Sequence, residues 1–169
     1  VKERNVFVVL LNSNDQLLVQ GEYLELAKLK EKAKEFIKND ANAENMPEKE
    51  IIEVEYFGNQ AVTKNHVISL QNDRGTSYAA YISVQNELVA AYNELRNDLA
   101  KSKFGMPYEE LDEDKQKDAI YILDSLNRSN SDELRRLKVP MALQILEKEP
   151  EEYKETLDMV YSIYNDLKH

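Results

Sequence analysis

Residues His66-Val67-Ile68-Ser69-Leu70 form a short extended run, and Gln71-Asn72-Asp73-Arg74-Gly75-Thr76-Ser77 follow it as a turn-rich loop. Beyond the loop, Tyr81, Val84, Leu88, Ala91, Leu95 and Leu99 step by threes and fours, the spacing of one helical face. A strand that passes through a polar loop into a long helix is a unit of mixed α and β architecture. Thr76 or Ser77 is the expected N-cap, and Gly105 after Phe104 the expected stop.

Outward from this unit, Val6-Phe7-Val8-Val9-Leu10-Leu11 is a continuous apolar run and reads as a strand buried or paired on both sides. Asn12-Ser13-Asn14-Asp15 favours a turn through side-chain to backbone bonds, and Leu17-Leu18-Val19 resumes extended structure before Gln20-Gly21, so the two runs make a hairpin. Leu26, Leu29, Ala33, Phe36 and Ile37 recur at helical spacing up to Asn39. Ile52, Val54 and Tyr56 alternate with Glu53, Glu55 and Phe57, and Gly58-Asn59 is read as the turn between that strand and the His66 run.

After Gly105 the pattern changes. Pro107 opens a helix through Glu109, Leu111 and Lys115 towards Ile122. A second helical stretch starts at Ser131 and carries Leu134, Leu137, Met141, Ile145 and Leu146, divided by Pro140. A last one starts at Pro150 and bears Tyr153, Leu157, Val160, Tyr161 and Tyr164 as a stripe. The expected fold class is α+β: a small sheet packed by two helices over residues 1–105, followed by a helical C-terminal extension over 106–169.

Composition narrows the chemistry. Of 169 residues none is cysteine, so disulfides, thiolate metal sites and cysteine nucleophiles are excluded. His66 and His169 are the only histidines, which leaves little material for histidine metal sites or general-base catalysis. A net charge of −10 repels phosphate backbones, so nucleic acid is not an expected partner. No glycine-rich phosphate loop is present. Acid pairs such as Glu109-Glu110, Asp112-Asp114 and Glu151-Glu152 are adjacent or nearly so, and read as solvated faces and first-turn charges rather than as carboxylates opposed across a cleft. Asp112-Glu113-Asp114 lacks the spacing and glycine of a calcium loop. His66, at the head of an apolar strand, reads as a hydrogen-bonded structural histidine. No catalytic residue, metal ligand or cofactor is expected, and binding or assembly is the favoured class.

The segment from Val67 to Tyr78, continuing through Tyr81-Ile82-Ser83-Val84-Gln85-Asn86-Glu87-Leu88 and Ala91-Tyr92-Asn93-Glu94-Leu95-Arg96, closely resembles the periplasmic domain of ExbD/TolR-type biopolymer transport proteins, especially the Bacteroidetes version. The hairpin around Asn12 to Asp15 fits the same family, and the resemblance covers roughly residues 5–118. It implies a periplasmic domain of a single-pass inner-membrane protein, with the transmembrane helix and its proton-linked aspartate upstream of Val1 and residues 1–5 as juxtamembrane linker. It further implies a homodimer that works with an ExbB/TolQ-like channel subunit and uses proton-motive force to drive a TonB- or TolA-like protein. A peptidoglycan-binding TolR-like anchor is the alternative, and a scaffold acting through residues 125–169 a third reading. Partner contacts are expected at Asp73, Arg74 and Tyr78, in the loop where the family carries an Asp and then a Tyr. They are also expected along Val6, Val8, Leu10, Leu17 and Val19 as candidate exposed edges for strand addition. The family closes its sheet with a strand after the second helix, for which Ile120-Tyr121-Ile122-Leu123 is the candidate. From about Ser125 onward nothing in the chain matches the family.

Overall fold

The computed structural model describes residues 2–124 and, as backbone, residues 145–148. It is an α+β fold. Strand β1 (Val6–Leu11) pairs antiparallel with β2 (Leu17–Val19), and β2 with the two-residue β3 (Glu22–Tyr23). Helix α1 (Leu29–Lys38), the hairpin β4 (Lys49–Val54) and β5 (Gly58–Thr63), and then β6 (Val67–Asn72) follow. Helix α2 (Tyr78–Phe104) leads to a 3-10 turn at Tyr108–Glu110 and helix α3 (Glu113–Leu123), and β7 (Ile145–Lys148) completes the described elements. The main sheet has the order β3-β2-β1-β6-β7, with β6 parallel to both β1 and β7, while β4 and β5 form a separate two-stranded sheet.

Strict alternation along β1 explains how the sheet is covered. Phe7, Val9 and Leu11 point inward, joined by Leu17 and Val19 of β2 and by Ile68 and Leu70 of β6. Onto this face pack Leu29, Ala33, Phe36 and Ile37 of α1, and Tyr81, Val84, Leu88, Ala91, Tyr92 and Leu95 of α2. Val6, Val8 and Leu10, with Leu18 and Val67, turn to the opposite face and are half-buried. Both α1 and α2 therefore lie on one side of the sheet.

A second, smaller core forms where the C-terminal half of α2 meets β4, β5 and α3. It contains Val54, Phe57, Val62, Ala100, Leu111, Ala119 and Ile122, and the Phe57 and Phe104 rings meet edge to face at 5.1 Å. At 27 residues, α2 is about 40 Å long and runs through both cores. Ser77 caps its start by accepting the Ala80 N–H at 3.1 Å, and Gly105, at φ 69°, ends it in the left-handed conformation. Asp112 caps α3 by accepting the Lys115 N–H at 3.0 Å.

Several sequence expectations are corrected. The run Ile120–Leu123 is the last turn of α3, not a strand: the Asp124 N–H donates to Ile120 O at 2.9 Å, and Ala119 and Ile122, three apart, both join the second core. The strand after the second helix is Ile145–Lys148, inside the stretch expected to be helical, and it is drawn into extended form by parallel pairing with β6. Gly58-Asn59 does not turn into the His66 run. Gly58, at φ 72°, starts a strand of its own, β5, that returns along β4. The helix expected from Pro107 is broken in two at Leu111-Asp112. The expected helices from Ser131 and Pro150, apart from residues 145–148, lie outside the described residues.

Candidate partner-binding surfaces

The expected partner residues fall into three groups. Leu17 and Val19 are core side chains, 7% and 8% exposed, so they are not available to a partner. Val6, Val8 and Leu10 lie on β1, which is an interior strand and not an edge: its whole length pairs with β6. On the other side β2 covers only Val9 to Leu11. Beyond that point the Gln20 side chain takes over. Its Nε2 donates to Val6 O at 3.1 Å and its Oε1 accepts from the Val8 N–H at 3.0 Å, while the Gln20 backbone N–H donates to Val8 O at 2.9 Å. One amide thus stands in for a missing pair of strand residues, and strand addition at β1 is blocked. β2 is flanked by β1 and β3, so the expectation of edges at Val6–Leu11 and Leu17–Val19 is overturned, for β1 by its distant partner β6 and for β2 by the short strand β3 that follows it.

Gln20 and Gly21 have φ 52° and 83° and form the two-residue turn between β2 and β3, where both central residues are left-handed. Asparagine or glycine is the usual choice there. Only a longer amide reaches β1, which explains the glutamine. Beside this turn, on the face opposite α1 and α2, Val6 and Val8 line a shallow hollow with Glu3, Arg4 and Asn45.

The third group lies at the other end of β1. Asp73 N–H donates to Leu11 O at 2.8 Å, so the loop between β6 and α2 is tied to the end of β1. Thr76 Oγ1 donates to Asn12 O at 3.1 Å, and the Ser77 N–H donates to Asp15 Oδ1 at 2.8 Å. That last bond holds the Asp15 carboxyl below its ordinary range. The cap therefore comes from Ser77 and Asp15, which leaves the Asp73 and Arg74 side chains exposed, with Tyr78 57% exposed. Gly75 adopts φ 96°, which an L side chain rarely takes.

His66 is 1% exposed, and both ring nitrogens are engaged. Thr63 Oγ1 donates to Ile37 O at 2.7 Å and so accepts from His66 Nδ1 at 2.7 Å. His66 Nε2 then accepts from the Tyr92 hydroxyl at 3.0 Å. This is the hydrogen-bonded histidine expected from sequence, joining α1, β5 and α2. One turn beyond Tyr92, Arg96 lies over the Tyr108 ring at 5.6 Å; burial lowers its pKa, opposed by Tyr108, Asp124 and Tyr92. Among the described residues no group of His, Asp and Glu side chains is arranged to hold a metal ion, and no helix is long and apolar enough to cross a membrane.

Sequence reasoning missed the β5 border. A groove of about 310 Å³ runs beside Gln60 to Thr63, floored by Leu95 and Leu99 of α2 and closed by the end of α1. Its signal in sequence is slight, since only Ala61 and Val62 of β5 are apolar.

Compared with known protein families and curated proteins, the chain matches no family model and no curated sequence.

Proposed function

We propose that this chain is the periplasmic module of an ExbD/TolR-like subunit, a non-enzymatic dimeric adaptor that passes proton-driven motion from an ExbB/TolQ-like channel to a TonB- or TolA-like protein. One observation carries the reading. The segment with the family resemblance, Val67 to Arg96, folds as a single strand, loop and helix, preceded by the β1–β2 hairpin and helix α1. That order of hairpin, helix, strand, loop and helix supports the reading; the closing strand expected at Ile120–Leu123 does not, since that run is helical. Within this reading Asp73, Arg74 and Tyr78 meet the partner, because they stand exposed on the loop and the first residue of α2, a corner that hydrogen bonds tie to Leu11, Asn12 and Asp15. Val6, Val8 and Leu10 serve the dimer through the sheet face opposite α1 and α2, not through an edge.

The full-length gene product, expressed with its neighbouring ExbB/TolQ-like gene, supplies the test. An upstream apolar segment of about twenty residues and co-purification with the channel subunit are expected, and Asp73→Lys with Arg74→Glu is expected to abolish outer-membrane transport while co-purification persists. A gene without such a segment would sink the reading, and normal transport in the double variant would remove the loop from it. A cell-wall anchor is the second reading. The hollow of about 210 Å³ beside Tyr23, Gln20, Glu35 and Asn45 offers the polar and aromatic lining a glycan would use. Co-sedimentation with purified cell wall, lost in Tyr23→Ala, would favour it.

A further inference from the structure

We propose that the β5 border is a docking groove for an extended, lysine- or arginine-bearing segment of a partner protein, which adds a third strand to the β4–β5 hairpin. The assignment stands independently of the family reading above.

Backbone geometry is the first support. Lys64 N–H donates to Glu48 O at 2.6 Å, and Phe57 N–H to Val54 O at 3.2 Å, with Glu50 opposite Val62 and Ile52 opposite Gln60. Alternation in an antiparallel ladder then turns the N–H and C=O groups of Asn59 and Ala61 away from β4. Both residues are exposed, and among the described residues no hydrogen bond reaches those groups. A two-stranded hairpin is marginal alone and gains from a third strand.

The two borders of the hairpin differ in kind. β4 carries Lys49, Glu50 and Glu53, the charges that natural edges use against unwanted pairing, whereas β5, Gly58 to Thr63, carries none. The unguarded border is the one beside the groove. A strand laid along it would place alternate side chains over Leu95 and Leu99, while Ala61 is small enough to admit a neighbour.

Charge selects the occupant. Lys38 at the rim is already matched by Asp40 at 3.3 Å. Among the described residues Asp98 pairs with Lys34 alone, at 3.9 Å, and Lys34 is bonded more closely to Glu94 at 3.0 Å. With its side chain 58% exposed, Asp98 leaves the rim acidic, on a chain whose net charge is −10. A basic residue flanking the apolar positions of the incoming strand complements it.

The probe is an eight-residue peptide of alternating valine and threonine with a lysine at each end. It is compared with a glutamate-ended counterpart and with a version methylated at alternate backbone nitrogens, using amide NMR shifts and hydrogen exchange on the full chain. The lysine-ended peptide is expected to shift and protect the Asn59 and Ala61 amides, to bind about threefold or more tighter than the glutamate-ended one, and to lose binding when methylated. Ala61→Pro removes an outward donor at an edge that tolerates proline and is expected to weaken binding about tenfold. Should that variant unfold, Asp98→Lys, on an exposed site, is expected to reverse the preference between the two peptides. Equal binding of the methylated peptide, shifts confined to other surfaces, or no binding at about 1 mM would overturn the proposal. So would self-association that Ala61→Pro abolishes while no peptide binds, since a second copy would then be the occupant.

Discussion

Replacing Gln20 separates two effects that the native residue combines. Gln20→Ala removes both amide bonds to β1, at 3.0 Å and 3.1 Å, while keeping a side chain at φ 52°. A net hydrogen bond contributes about 0.5–1.5 kcal/mol, and this pair is exposed, so the expected loss is about 1–2 kcal/mol. Gln20→Gly loses the same bonds but relieves the left-handed conformation, which recovers about 1 kcal/mol. The glycine variant should therefore lie between alanine and wild type in urea unfolding, with unchanged slope. In both variants the Val8 amide is left without its acceptor and should exchange faster with solvent. The strip from Val6 to Val8 is then an open edge, so both should self-associate more at high concentration in sedimentation. Equal destabilisation by alanine and glycine, or a Val8 amide indifferent to Gln20, would refute the reasoning.

Thr63→Val keeps the shape of the side chain but strips the bonds to Ile37 O and His66 Nδ1, so a loss of about 1–3 kcal/mol is expected, measured by thermal or urea unfolding. Glu94 is held below the ordinary carboxylate range by its hydrogen bonds to Lys30 and Lys34. Because its folded pKa lies below the unfolded one, its stabilising effect is present above about pH 4.3 and fades as pH falls through the folded value. Glu94→Gln should flatten that acid-side loss in urea midpoints taken between pH 3 and 6, and added salt should shrink the difference. Ser77→Ala removes the cap on α2 and should cost about 0.5–2 kcal/mol, read from the same unfolding curves, with the Ala80 amide exchanging faster.

What was legible in the sequence is what local pattern dictates. Val6 to Leu11 reads as a strand covered on both sides because six apolar residues in a row leave no polar face, and the stripe from Tyr81 to Leu99 reads as a helix over six turns. His66 reads as structural because no second histidine accompanies it. The misses share one cause, which is pairing that no single segment shows in its own pattern, whether across a short turn, as β2 with β3, or at long range, as β6 with β7. Nothing within Leu17 to Val19 reveals that β3 covers it, and nothing within Val6 to Val8 reveals an amide from Gln20 on its flank. β5 shows no alternation of its own and exists because β4 lies beside it. Ile145 to Lys148 sits in a stretch whose apolar spacing reads as helical but has a strand, β6, beside it in space.

Helix α2 gives these separate surfaces a common frame. Its N-terminus carries the loop with Asp73, Arg74 and Tyr78, its middle holds the His66 network through Tyr92, and Leu95 and Leu99 floor the groove beside β5. No glycine or proline interrupts the helix between Tyr78 and Phe104, and it is buried against the main sheet at one end and the hairpin core at the other. From Tyr78 to Leu99 it rises about 30 Å. With no proline or glycine along that length, the helix lacks the residues at which sharp kinks usually form, so the loop and the groove are carried on one continuous element.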